Sequence, residues 1–175
     1  MSTNEFDPHV ATDGQGNWLA VWDGGIGASG LRGTDRDILV ARSTDNGETW
    51  TVPAPLNADA AGDPREDTSP RIATDGQGNW VAVWQSGTLS ASEYEVRIAL
   101  SADNGRTWTK PAPLTSSSTT KSRYAMFRSI ASAGQGYWVS VWQEAALERG
   151  LEGPQIGNGR DIFVAEFGLR SNLSP

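Results

Sequence analysis

The sequence predicts an all-β chain made of three repeated units, each of four short antiparallel strands, with the last unit incomplete. Two observations carry this. A fifteen-residue pattern occurs three times: PHVATDGQGNWLAVW at 8–22, PRIATDGQGNWVAVW at 70–84 and RSIASAGQGYWVSVW at 128–142, at offsets of 62 and then 58 residues. A second pattern occurs twice, STDNGETW at 43–50 and SADNGRTW at 101–108, with six identities in eight positions. Repeats of this period signal stacked supersecondary units that bury one another's faces. The 20 Gly, nine Pro and eight Trp of the 175 residues fit a protein of many tight turns.

Each element follows from local chemistry. Strand A is short, at 8–12, 70–74 and 128–132, and a Gly-rich turn follows at 13–16, 75–78 and 133–136. Strand B spans 17–22, 79–85 and 137–143. Trp18, Ala20 and Trp22 fall on one face and Leu19 and Val21 on the other. Both faces are apolar, so strand B is expected to be covered on both sides. Strand C is placed at 37–43, 95–101 and 161–167. The turns after the first two C strands contain Asn46-Gly47 and Asn104-Gly105, suited to positive φ. Strand D is expected at 49–53 and 107–111, ended by Pro53-Ala-Pro55 and Pro111-Ala-Pro113, because Pro cannot donate to a ladder. In the third unit GLRSNLSP stands where the DNG turn and strand D should be, so either the terminus forms an irregular outer strand or the blade is truncated.

In the DNG turns, Asp45 and Asp103 can accept hydrogen bonds from their own turn amides, and Trp50 and Trp108 can fold back as apolar plugs. Ser43, Asp45, Gly47, Trp50 and Ser101, Asp103, Gly105, Trp108 are the residues of the Asp box, S-x-D-x-G-x-T-W. The chain therefore resembles the sialidase-like Asp-box (BNR repeat) β-propeller superfamily. The resemblance covers nearly the whole chain for fold and almost none of it for catalysis, because in that family the box lies away from the active site. It implies one propeller-type domain over 1–175, with blades at about 7–56, 69–114 and 127–170. Propellers close with about four to eight blades. Three blades leave two apolar faces open, and a homodimer closing a ring of 3 + 3 blades is the expected solution; half of a longer natural chain is the other.

Composition narrows function. A net charge of −7 and a pI near 4.6 argue against nucleic acid or an anionic membrane as partner. No run approaches the roughly 20 apolar residues of a membrane span. The absence of Cys leaves the redox compartment open. The residues up to Pro8 are polar and show no signal peptide, while the resemblance implies an extracellular or periplasmic protein. No cofactor is expected and no metal: Asp13 and Asp35-Arg36-Asp37 lack EF-hand spacing, and His9 is the one His. GQG is read as a hairpin turn, not a phosphate loop, and the six strand-B Trp as core.

Strand parity places the A–B and C–D turns at one end and the B–C and D–A connections at the other. The first set is short and repetitive, whereas the second is long and different in each unit, which is where binding is expected. Its residues include Arg71, Arg128, Tyr94, Arg97 and Tyr124, the candidate ligand contacts. Arg forks suit carboxylates and aromatic rings stack on sugar faces. Sialidases carry an Arg-Ile-Pro motif whose Arg grips the substrate carboxylate. Arg71-Ile72-Ala73 matches it with the Pro displaced to position 70, while His9 and Ser129 stand at the equivalent positions of the other units. Tyr94 beside Glu93 and Glu95, or Tyr124, could supply a nucleophile, but neither lies in a family motif, so no catalytic residue is assigned. The expected function is a non-catalytic or cryptic module binding glycan or protein. The alternatives are an exo-sialidase-type hydrolase with its site at the channel mouth, and a purely structural propeller fragment.

Overall fold

A computed structural model describes residues 4–25, 35–60, 62, 64–88, 93–114, 125–144 and 161–168. The described residues are all β. Sheet 1 contains β1 (Glu5–Thr12), β2 (Trp18–Gly25), β3 (Arg36–Ser43) and β4 (Ala54–Pro55), in that order. Sheet 2 repeats the plan with β5 (Glu66–Thr74), β6 (Trp80–Thr88), β7 (Glu93–Ser101) and β8 (Ala112–Pro113). Sheet 3 has three described strands, β9 (Ala125–Gly134), β10 (Tyr137–Glu144) and β11 (Asp161–Gly168). All pairings are antiparallel. The architecture is a partial β-propeller of three blades.

The alternation read from strand B decides the packing. In β6, Trp80, Ala82 and Trp84 face sheet 1, where they join Leu19, Val21, Ile38 and Val40. The opposite face of β6, Val81 and Val83, meets Trp138 and Trp142 of sheet 3 together with Val96 and Ala73. Trp138 also stacks on Phe167 at 6.1 Å between ring centroids. Sheet 2 is thus covered on both sides, as its two apolar faces require.

Strand D departs from expectation. Residues 49–53 and 107–111 are not ladder; the outer strands are the two-residue β4 and β8, at the Pro-Ala-Pro segments themselves. The cause is a side chain standing in for a carbonyl. Thr51 N donates to Arg42 O at 2.8 Å, but Arg42 N is answered by Thr51 Oγ1 at 3.0 Å. Thr109 and Leu100 repeat both bonds. Pairing resumes where Leu56 N reaches Ile38 O (2.7 Å) and Leu114 N reaches Val96 O (2.8 Å). Pro55 and Pro113 are tolerated because an edge strand needs no outward donor.

The two kinds of repeated turn meet at one end of the sheets. Asn46 N donates to Gly16 O (2.9 Å) and Asn104 N to Gly78 O (3.0 Å), joining each C–D turn to the A–B turn of its own sheet. In the DNG turns, Asp45 accepts from the Ser43 hydroxyl (2.6 Å), the Thr49 amide (2.9 Å) and the Thr49 hydroxyl. Asp103 accepts likewise from Ser101, Thr107 and Arg106 N. These donors hold both carboxyls down at about 2. Trp108 plugs the core between sheets 1 and 2, whereas Trp50 is exposed, because among the described residues no sheet packs on that side of sheet 1.

Candidate functional site

The opposite end carries a repeated backbone irregularity. In each innermost strand two residues bulge opposite one Trp of strand B: between Phe6 and His9, between Thr68 and Arg71, and between Met126 and Ser129. The residues in the bulges are Asp7-Pro8, Ser69-Pro70 and Phe127-Arg128. Asp7 and Ser69 have φ of 51° and 53°, values few non-Gly residues adopt. Bulges of this kind re-aim side chains. Here they bring adjacent sheets together: Ser69 Oγ donates to Asp7 Oδ2 at 2.7 Å, and Ser69 N donates to Asp23 Oδ1 at 2.9 Å.

Around this bridge lies a charged cluster between sheets 1 and 2. Arg36 reaches Asp23 and Glu66, each at 3.1 Å, and its guanidinium sits 5.5 Å from the centre of the Phe6 ring. Asp23 is fully buried. Burial pushes its carboxyl up, against the pull of the Ser69 amide and Arg36, and the nearby Asp7 charge adds to the rise. Deeper in, Asn57 Nδ2 donates to Asp37 (2.8 Å) and Asp67 (3.1 Å) while its Oδ1 accepts from Ile38 N (3.2 Å). Arg65 pairs with Glu95 at 2.7 Å, and Arg97 pairs with Asp59 and Glu95, each at 3.2 Å.

Arg71 differs from these arginines. It follows the bulge on β5, and its Nη1 donates to the carbonyl of its own neighbour Pro70 at 2.7 Å. Among the described residues no carboxylate pairs with it. Its charge reaches His9 on β1, whose ring is held below its ordinary value by burial and then by Arg71. Nδ1 of His9 accepts from Ile72 N at 3.3 Å, so the neutral ring carries its proton on Nε2. His9 thus stitches β1 to β5 beside the Arg71 cation.

The other candidates separate. Arg97 is held in its ion pairs, and Tyr94 is half-buried against the cluster between sheets 2 and 3. Arg128 lies in the β9 bulge by backbone, but its side chain is outside the described residues, as is all of Tyr124. Arg32, Arg123, Glu148, Arg149 and Arg160 are also outside them. Sequence reasoning missed Asp7, Ser69 and Asn57. The first two had a signal: Asp-Pro and Ser-Pro stand at the same repeat position. Asn57 had none, since its partners come from positions 37, 38 and 67. Among the described residues no group of three His, Asp or Glu side chains is arranged to hold a metal ion, and no helix is long and apolar enough to cross a membrane.

Several solved structures share this fold. The chain is similar to the Hadza microbial sialidase Hz136, at 22% identity and a TM-score of 0.62 over 81% of this chain and 32% of that one. It is similar to Zg3597, a family 117 glycoside hydrolase of Zobellia galactanivorans, at 13% identity and a TM-score of 0.54, covering 82% and 49%. It is also similar to the GH93 α-L-arabinofuranosidase of Fusarium graminearum, at 15% identity and a TM-score of 0.52, covering 92% and 45%. The chain therefore spans between a third and a half of the length of these propeller enzymes. No protein-family model and no curated protein sequence matches it.

Proposed function

We propose that the chain is a binding module for a carboxylate-bearing glycan, received where β1 and β5 bulge, with Arg71 as the anchoring cation. One observation carries this reading: among the described residues Arg36, Arg65 and Arg97 are each paired with carboxylates, while Arg71, on an innermost strand, has no carboxylate partner. A guanidinium fork there is matched to a carboxylate bidentately. The match of Arg71-Ile72 to the sialidase Arg motif, and the fold shared with glycosidases, support the same ligand class. A glycan ligand goes with an extracellular or periplasmic setting.

Titration calorimetry with sialyllactose and with lactose tests the proposal. Sialyllactose should bind and lactose should not. Arg71→Ala should lose affinity about tenfold or more, the worth of a charge-assisted bond, while Arg71→Lys recovers part. Equal binding of both sugars, or an unaffected Arg71→Ala, refutes it.

A second reading is favoured by one specific feature. Exposed Asp7, in strained backbone, and buried Asp23 share the Ser69 bridge. Two carboxyl groups in unlike surroundings, one exposed and one buried, are what glycoside hydrolysis uses. Turnover of a fluorogenic sialoside that disappears in Asp7→Asn would establish that reading over the first.

A further inference from the structure

The repeat supplies its own template for what covers the two open flanks. Several exposed apolar positions on those flanks have an equivalent that is more deeply buried elsewhere in the chain. On sheet 1, Val10 is 51% exposed, while its equivalent on sheet 2, Ile72, is 1% exposed. Trp50 is 42% exposed, while Trp108 packs into the core between sheets 1 and 2. Trp18 and Trp22 are half-buried, while Trp80 and Trp84 are fully buried against sheet 1. On sheet 3 described residues of the other half of the junction are exposed. Ile162 is 71% exposed, and its equivalents Ile38 and Val96 are both fully buried. Val139 is 40% exposed, and its equivalents Leu19 and Val81 are both fully buried. The turn glycines agree: Gly105 packs against Leu19 and Arg42 of sheet 1, while Gly47 has nothing within 4 Å.

The sheet 3 flank is therefore the same kind of surface that sheet 1 offers to sheet 2. The sheet 1 flank is the kind that sheet 2 inserts there. We propose that the open flank of sheet 3 in one copy receives the open flank of sheet 1 in a second copy, in the packing that sheets 1 and 2 already use within the chain. The contact is head-to-tail, and a two-fold axis makes it twice, closing a ring of six sheets with no apolar flank left in water. A second copy is the occupant proposed because it brings both complementary surfaces at once. The inference stands apart from the glycan reading, since no ligand enters it.

Light scattering after size exclusion tests it on the chain as it is. The expected mass is twice the 18.7 kDa of one chain. Ile162→Arg and Val10→Arg alter exposed side chains, so each should fold, with an unchanged far-ultraviolet circular dichroism spectrum. Each should run as a monomer, because an arginine buried there without a partner weakens the contact about a hundredfold or more. An equimolar mixture of the two variants should regain dimer, since one of its two junctions is intact. Wild-type monomer, species larger than a dimer, or a mixture that stays monomeric overturns the proposal. So does a dimer that only one of the two substitutions disrupts, which would mean like flanks pair with like.

Discussion

Gly47 and Gly105 occupy the same turn position, both at positive φ (90° and 71°), yet a methyl group at each meets a different world. A Cβ at Gly47 has nothing within 4 Å. A Cβ at Gly105 would lie 3.1 Å from Leu19 Cγ and 3.3 Å from Arg42 Cδ, and nearer still to Leu19 Cδ2. Left-handed backbone costs an L-residue about 1–2 kcal/mol in either turn. Overpacking adds about 1–3 kcal/mol at Gly105 alone. Gly47→Ala should therefore cost about 1–2 kcal/mol and Gly105→Ala about 2–5 kcal/mol, by urea denaturation. Both are best measured in the Ile162→Arg background, so that no second copy covers Gly47. Leu19→Ala provides the internal control. It empties the space the new methyl needs, so in that background Gly105→Ala should cost no more than Gly47→Ala. Backbone strain alone predicts the opposite order, since 90° is farther from the comfortable left-handed value than 71°. Equal losses, or Gly47→Ala the worse, would refute the account of how sheet 2 is seated on sheet 1.

Other outcomes follow from the same contacts. Asp45 and Asp103 sit at about 2 in the folded chain against an ordinary 3.8, so the stability they give is complete above about 4 and lost as pH falls toward 2. The deficit of Asp103→Asn should be largest at neutral pH and shrink over that window; a pH-independent deficit would contradict it. Arg36→Leu leaves buried Asp23 without its cation and should cost about 1–3 kcal/mol, discounted because the guanidinium is part exposed. Its Asp23 carboxyl rises further, so the loss should shrink on acidification, as a protonated Asp23 needs no cation. Thr51→Val removes the acceptor for Arg42 N and should cost about 1 kcal/mol by denaturant midpoint; no change would mean water serves equally well.

The repeat made the three sheets and both faces of strand B readable, because a period of two with apolar residues on both sides requires cover on both faces. Strand D was misplaced because the Thr51 and Thr109 hydroxyls act as ladder acceptors, which no propensity reports. The bulges were half legible: Pro8 and Pro70 marked the position, but the hydrogen bonds of Ser69 to two residues of sheet 1 depend on how sheets meet. Arg71 could be singled out from its place in the repeat. That Arg97 would be held by Asp59 and Glu95 could not, since Asp59 comes from the connection between sheets.

Apolar flanks alone do not fix the order of the sheets. Leu19 and Val21 present to sheet 2 nearly what Val81 and Val83 present to sheet 3. The polar rim tells the neighbours apart. Asp23 of sheet 1 is answered by Arg36 and by Ser69 of sheet 2, whereas Gln85 and Gln143 stand at its equivalent positions. Asp37 meets Asp67 of sheet 2 across the amide of Asn57, and this connection occurs between sheets 1 and 2 only, among the described residues. A wrong neighbour would bury these carboxylates without their donors, a cost of several kcal/mol. Asn57→Leu isolates the effect. It keeps the branching and heavy-atom count of the side chain and removes two donors to buried carboxylates and one acceptor for Ile38 N, so it should cost about 3 kcal/mol or more. Leu56→Ala, beside it in the apolar core, should cost a similar amount through lost packing. The two differ in what they spare: Asn57→Leu should loosen the junction of sheets 1 and 2, seen as faster amide exchange at Ser69 and Ile72, with sheet 3 unaffected. A loss below about 1 kcal/mol would show that the buried carboxylates do not depend on that amide and that the apolar faces suffice to order the sheets.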